Sequence, residues 1–381
     1  MYFDFKSSTF SHLRHAPNAA AILHADGGIS WRTLHTVTRN WMQRAVIAGA
    51  RPDRSMVILG HKEASFLTAI LGCLSLEVPY VPVDSHDGVY RIRRIVDIAQ
   101  ASLIYDTAAD RFIGGPAGTQ PLAEAGLACI LFKPDANGEP LGAQIGRESI
   151  ALLADWLRRH GALGPAPVFM GQMPFTCGFS LLDVAGVLAL GGTSVLPGAG
   201  TQESASVHQL ARQRVTTLST TASHLNEQLA NPHFGSRALP DLNLLILCDE
   251  PFSPPLSADL RQRFPSVRIV NMYGCIEVTC TAIWSALDDE ANPFPGCYTL
   301  GKGPDYTEVF IRDGEICVSG NHVMRGYINA PELNRSRLFH HKGKRAYRTG
   351  EPGTIDERGL LHRGSPGQDR SGQQGLHATP D

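Results

Sequence analysis

Short apolar runs alternate with stretches of helical periodicity up to about residue 270, and this alternation is the mark of parallel sheets covered by helices. Strands are expected at Met56 to Leu59, Tyr80 to Val83 and Leu103 to Tyr105, with helices over Lys62 to Leu76 and Asp87 to Ala99 between them. Ser149 can cap a helix that carries Ile150, Leu153 and Leu157 on one face and stops at Gly161. The same grammar continues in strands at Val215 to Ser219, Leu244 to Cys248 and Val267 to Asn271, with a helix over Pro255 to Phe264. After about Pro293 the pattern changes to close-set strands, Glu308 to Ile311, Glu315 to Ser319, Thr354 to Asp356 and Leu360 to His362. Turn pairs Asp313-Gly314 and Arg358-Gly359 join them, as in hairpins.

The expected fold class is therefore α/β, with helix-covered, mainly parallel sheets and a small antiparallel β-barrel lobe. Residues 1–363 read as one large domain, divided into α/β lobes at 1–195 and 196–292 and the β lobe at 293–363. Residues 364–381 are rich in Gly, Pro, Ser and Gln and offer little to bury, so a disordered tail is expected there.

Charge and composition remove several function classes. Across 381 residues, Lys+Arg 34 against Asp+Glu 36 leaves a net charge of −2, so no basic field exists to collect nucleic acid phosphates. The longest apolar stretch, Phe66 to Val83, is interrupted by Thr68, Ser75, Glu77, Pro79 and Pro82 and reads as helix, turn and strand, with no membrane partner expected. The N-terminus shows no basic region followed by an apolar run, which makes the cytoplasm the expected compartment. Eight cysteines lie mostly in apolar segments without a CxxC pair and read as small buried hydrophobes.

Candidate chemistry begins at Asn271-Met272-Tyr273-Gly274-Cys275-Ile276-Glu277, which follows a buried strand and so sets an aromatic face and a carboxylate at the carboxyl edge of a parallel sheet. Taken alone, the segment reads more readily as a strand end with a satisfied surface Glu. It resembles the N-x-Y-G-x-T-E turn of the adenylate-forming superfamily, the acyl-CoA synthetases and nonribosomal-peptide adenylation domains, with Ile276 where Thr is usual. Further similar segments follow in order: Gly314 to Gly320 resembles G-E-[LI]-x-V-x-G, Arg325-Gly326-Tyr327 resembles [KR]-G-Y, and Tyr347-Arg348-Thr349-Gly350-Glu351 resembles Y-R-T-G-D. Upstream, Pro79 to Asp84 is similar to A-Y-V-P-L-D. Gly343 to Gly350 and the helix at Ala154 to Leu157 look most like the D-alanine:carrier-protein ligases.

The resemblance implies an AMP-forming ligase: a small carboxylic acid is joined to the α-phosphate of ATP, pyrophosphate leaves, and the acyl group passes to a phosphopantetheine thiol on a carrier protein. It implies Mg²⁺ at Glu277, adenine beside Asn271, Tyr273 and Gly274 with Asp249 and Glu250 nearby, and ribose at Glu351, one methylene longer than the usual Asp. The phosphate loop T-S-G-[ST]-[ST]-G-x-P-K-G maps onto Lys133 to Gly142, where Gly138, Pro140 and Gly142 remain, Leu141 replaces the Lys, and Asp135 adds negative charge. Lys133 is the alternative cation, out of register. The acid pocket maps onto Phe175, Gly178 and Phe179, with Gly178 replacing the Asp that holds an amino acid's ammonium. The hinge G-R-x-D maps onto Gly364 to Gly367, and the small C-terminal catalytic domain that follows it is expected to be absent. These departures lead to two expectations, an impaired ligase binding ATP or AMP, or an inactive, truncated homologue, a pseudoenzyme serving as a binding or scaffold protein or a decayed gene product.

Overall fold

The computed structural model describes residues 15–24, 27–116, 120–122, 124–160, 164, 166–197, 206–248, 250, 253–280, 283–286, 303–357 and 359–364. The chain opens with the hairpin β1 (Ala20–His24) and β2 (Gly27–Ser30), then α1 (Trp31–Ile47), capped by the Ser30 hydroxyl, which accepts from the Thr33 N–H. Alternation follows through β3 (Met56–Gly60), α2 (Ala64–Leu76), β4 (Tyr80–Asp84), α3 (Val89–Ile98), β5 (Leu103–Asp106) and β6 (Arg111–Gly114). Next come β7 (Leu127–Pro134), β8 (Pro140–Gly146), α4 (Arg147–His160), β9 (Val168–Gly171), α5 (Leu181–Leu190), β10 (Thr193–Val195), α6 (Val207–Arg212), β11 (Thr217–Thr220), α7 (Ala222–Leu229), β12 (Leu244–Cys248), α8 (Pro254–Arg263), β13 (Arg268–Tyr273) and β14 (Ile283–Ala286). The last part holds β15 (Glu308–Arg312), β16 (Glu315–Ser319), β17 (Gly326–Tyr327), α9 (Pro331–Arg337), β18 (Leu338–His341), β19 (Lys344–Ile355) and β20 (Leu361–Arg363).

Among the described residues these strands form three sheets. One has the order β14-β13-β12-β11-β9-β10-β1-β2, and its β10–β13 segment is parallel throughout. A second has the order β17-β8-β7-β4-β3-β5-β6. The third is antiparallel, β15-β16-β19-β18 with β20 on β19, and its described strands do not close into the barrel expected for this lobe. Nor do the two large sheets divide at residue 195: β1, β2, β9 and β10 join strands from beyond that point, because the apolar edge of β9 pairs with β11.

The core lies between the two large sheets. Helix α2 is buried almost all round, from Phe66 to Ser75, which explains why its sequence carries no polar stripe. Gly72 lets α1 approach: a Cβ there would meet Trp41 Cε3 at 2.3 Å. Beyond the helix Glu77 takes the left-handed conformation at φ 63° and turns the chain into β4. Helix α4 begins at Arg147, two residues before the expected cap. Ser149 is fully buried inside the helix and caps nothing, because its neighbours Ile150 and Leu153 draw that face into the core. Asp313 and Gly314 both have positive φ, 54° and 77°, the signature of the two-residue hairpin turn expected there. No described helix is long and apolar enough to cross a membrane. No disulfide joins the described cysteines; Cys297 lies outside the described residues.

Candidate adenylate site

The carboxyl ends of β12 and β13 meet the antiparallel lobe and the β7–β8 hairpin, and Glu277 stands at the meeting point. It sits in a short 3₁₀ turn, Ile276–Val278, directly after β13, with no exposed surface. The Lys133 ammonium forms an ion pair with its Oε1. The Tyr327 hydroxyl donates to the same oxygen, and Tyr327 and Tyr347 hydroxyls lie 3.1 Å apart. Glu277 Oε2 is buried with no hydrogen-bond partner. Burial pushes the Glu277 carboxyl up, but Lys133, Tyr327 and Cys275 outweigh it and hold it below the ordinary 4.5. Lys133 answers in the same sense: burial lowers it, Glu277 more than compensates, and the ammonium is held above its ordinary value.

The hairpin register explains how Lys133 arrives there. Lys133 pairs directly with Leu141 across β7 and β8, and Pro134 with Pro140. Cross-strand partners project from the same face of a sheet. Lys133 thus stands on the same face as Leu141, eight positions earlier in the chain. Counted along the chain this Lys is out of register; the pairing about a turn centred on Asn137 brings it level with residue 141.

The turn itself, 135–139, is closed around its own anion. Asp135 Oδ1 accepts from the Asn137 and Glu139 N–H groups at 2.8 and 2.9 Å, and the Gly138 N–H donates to the Asp135 carbonyl at 3.0 Å. Turn amides that would otherwise meet a phosphate are held by a carboxylate. Gly138 is in the left-handed region at φ 83°, while Gly142 lies in β8, where a Cβ would meet Phe132 Cζ at 2.7 Å. Pro140 opens β8.

Glu351, on β19, is also occupied from within. Tyr273 OH donates to its Oε2 at 2.8 Å, and Arg363 grips both oxygens, with Nη2 to Oε1 at 3.1 Å and Nε to Oε2 at 2.9 Å. Tyr273 is thereby fixed across the sheet end, and burial, reinforced by Glu351, keeps its phenol protonated. Asn271 and Gly274 lie at the same edge, half-buried, with Asn271 paired to Leu247. Glu250 follows β12 but turns toward α7, where it accepts from the Ser223 N–H at 2.6 Å. Asp249 lies outside the described residues.

The candidate acid pocket adjoins this edge. Phe175 and Phe179 are buried, Phe175 stacked on Phe66 with ring centroids 5.3 Å apart. Gly178 starts a 3₁₀ turn, and a Cβ there would meet Ile276 Cγ2 at 2.7 Å. The two departures noted in the sequence, Gly178 and Ile276, are one packing unit: the larger residue fills the room that the smaller one leaves. Beneath them Lys62 and Asp183, each with a side chain 3% exposed, form an ion pair at 3.2 Å, and Lys62 also donates to the Met173 carbonyl at 2.7 Å and to that of Gly171. Lys62 thereby ties the end of β3 to the end of β9 and to the start of α5, joining the two large sheets.

A parallel sheet edge carrying Glu277 and Tyr273, faced by an antiparallel lobe carrying Glu351, is the arrangement that the adenylate-forming resemblance implies. The chain belongs to the family of AMP-binding enzymes, whose family model matches residues 120–328. It is 24% identical to the D-alanine–D-alanyl carrier protein ligase of Bacillus velezensis over 90% of this chain and 74% of that protein. Its counterpart in Streptococcus pneumoniae is 28% identical over 81% of this chain and 67% of that one. Among solved structures, the fold superimposes on CmiS6 with a TM-score of 0.82, 21% identity and coverage of 94% of this chain and 96% of that chain. O-succinylbenzoate coenzyme A synthetase from Bacillus subtilis in complex with AMP gives 0.78, 17%, 94% and 78%.

Whether the residues present suit Mg²⁺ is decided at Glu277. Magnesium takes one or two protein carboxylate oxygens and completes its shell with waters and substrate phosphates. The buried Oε2 of Glu277, without a hydrogen-bond partner, fits that part, while Oε1 is held by Lys133 and Tyr327.

Proposed function

We propose that this chain is an AMP-forming ligase of the carboxylic-acid:carrier-protein type that grips the nucleotide by its adenosine end and meets the α-phosphate with Lys133. The ion pair between Lys133 and Glu277, opposite Leu141, carries this reading: it restores the missing cation of the phosphate loop at the same hairpin position and orients it with a buried carboxylate. Adenine lies beside Tyr273 and Asn271, and the ribose hydroxyls compete with Arg363 for Glu351. The β- and γ-phosphates gain little, since Asp135 holds the turn amides.

The acid substrate is proposed to lack an α-ammonium. Ile276 over Gly178 presents an apolar wall where an ion pair would be required, and a buried ammonium without a partner costs several kcal/mol. The acceptor is a phosphopantetheine carrier protein, by similarity to the relatives. A second reading, adenylate binding without turnover, is favoured by the self-closed turn at Asp135.

Acid-dependent ATP–pyrophosphate exchange across a panel of amino, hydroxy, aryl and aliphatic acids separates these readings. The expected result is slow exchange confined to acids without an α-amine. Robust exchange with α-amino acids alone would refute the pocket assignment, and exchange with no acid would favour the second reading.

A further inference from the structure

A second cluster of chemically competent side chains lies at the carboxyl edge of the other large sheet. Strands β3 and β4 run parallel with Gly60 beside Asp84, so His61, the first residue after β3, and Asp84, the last of β4, arrive side by side. His86 follows two residues later. His61 Nδ1 lies 2.9 Å from Asp84 Oδ2, and His86 Nδ1 lies 3.0 Å from Asp84 Oδ1. The rings meet edge to face with centroids 4.6 Å apart. Ionised carboxylates only accept hydrogen bonds, so each imidazole donates its Nδ1–H to the same carboxylate.

We propose that His61, Asp84 and His86 bind one divalent transition-metal ion, with zinc the best match. One ligand atom from each residue lies within 4.8 Å of the others. A tetrahedral ion with bonds of about 2.1 Å holds its ligand atoms roughly 3.4 Å apart, so small side-chain rotations from the observed 2.9 and 3.0 Å contacts suffice. On coordination each neutral ring loses its Nδ1 proton to water and takes one up at Nε2, so that the freed Nδ1 lone pair meets the ion and the two hydrogen bonds to Asp84 give way to metal–ligand bonds. Two imidazoles and one carboxylate suit zinc, whereas magnesium and calcium prefer oxygen-only sets.

Exposure favours access. The side chains of His86 and His61 are 75% and 41% exposed and that of Asp84 is 17% exposed, which leaves the fourth position to water. Asp84 is also held from behind, since the His86 N–H donates to its Oδ1 at 2.9 Å, and the His61 N–H is fixed by Glu63 Oε2 at 2.9 Å. Such supporting bonds orient the ligands. An ion here would brace the end of β3 against the turn leading into α3, apart from the adenylate site.

The test uses the full chain stripped with a chelator and titrated with Co²⁺, read by visible absorption, then with Zn²⁺ in competition. One ion per chain with the strong absorption of four-coordinate Co²⁺ is expected, displaced by Zn²⁺ and not by Mg²⁺. His86→Ala and His61→Ala, both at exposed positions and checked for folding by circular dichroism, should each weaken binding by about a hundredfold or more, the upper end of the losses seen for residues that merely support metal ligands. Absence of binding up to about 1 mM Co²⁺ or Zn²⁺ would overturn the proposal. So would unchanged affinity in both variants, which would place the ion elsewhere.

Discussion

Lys133→Met should lower folding stability by about 2–4 kcal/mol at neutral pH. Removing one partner of a buried pair typically costs about 3–5 kcal/mol; the figure is reduced here because the Lys133 side chain is 37% exposed and water reaches it. The loss falls on Glu277, which would be left fully buried with Tyr327 as its remaining strong donor. The pH dependence has a definite sign. In the parent chain the Glu277 pKa is below 4.5, so the pair's contribution is complete above pH 4.5 and fades as pH drops through the lower folded value. In the variant burial, opposed by Tyr327 and Cys275 alone, raises that pKa, so the gap between the two proteins should narrow in acid. Urea unfolding at neutral pH and at about pH 4 measures both quantities, and a gap independent of pH would show that Lys133 acts by packing alone.

Lys62→Met should be as damaging, by about 3–5 kcal/mol, for a reason rooted in the fold and independent of nucleotide. Asp183 is already pushed above the usual carboxylate range, because burial outweighs the nearby ammonium. Without Lys62 the carboxyl has no cation, and the carbonyls of Gly171 and Met173 lose a donor at the joint between sheets. The double variant Lys62→Met with Asp183→Leu should recover most of the loss, since well-packed apolar pairs replace buried ion pairs at little cost. A double-mutant cycle by urea unfolding measures this directly; additive losses would mean the two residues are not coupled.

Much of the fold is legible in the sequence because buried parallel strands are nearly continuous apolar runs. Met56 to Leu59 and Leu244 to Cys248 need no tertiary information, and the Asp313-Gly314 turn announces its hairpin. The start of α4 is not legible, since Ser149 has the chemistry of a cap but is drawn inward by the core. The pairing of sheets is hidden too: that β1 and β2 join β10 depends on contacts such as Ile22 with Ser194, far apart in the chain. At the site, Tyr273, Glu277 and Glu351 stand out in local motifs. Lys133, an out-of-register alternative in the sequence, is placed only by its strand register, Arg363 becomes visible only through the return of β20 alongside β19, and the link between Gly178 and Ile276 only through packing.

Isothermal titration calorimetry of AMP and of ATP with Mg²⁺ tests the central claim that the nucleotide is held by its adenosine end and α-phosphate. With Asp135 on the turn amides and Lys133 on Glu277, ATP should bind no more than about tenfold tighter than AMP, a difference of about 1.4 kcal/mol. A clearly larger preference for ATP, or no binding of either nucleotide, would contradict the account.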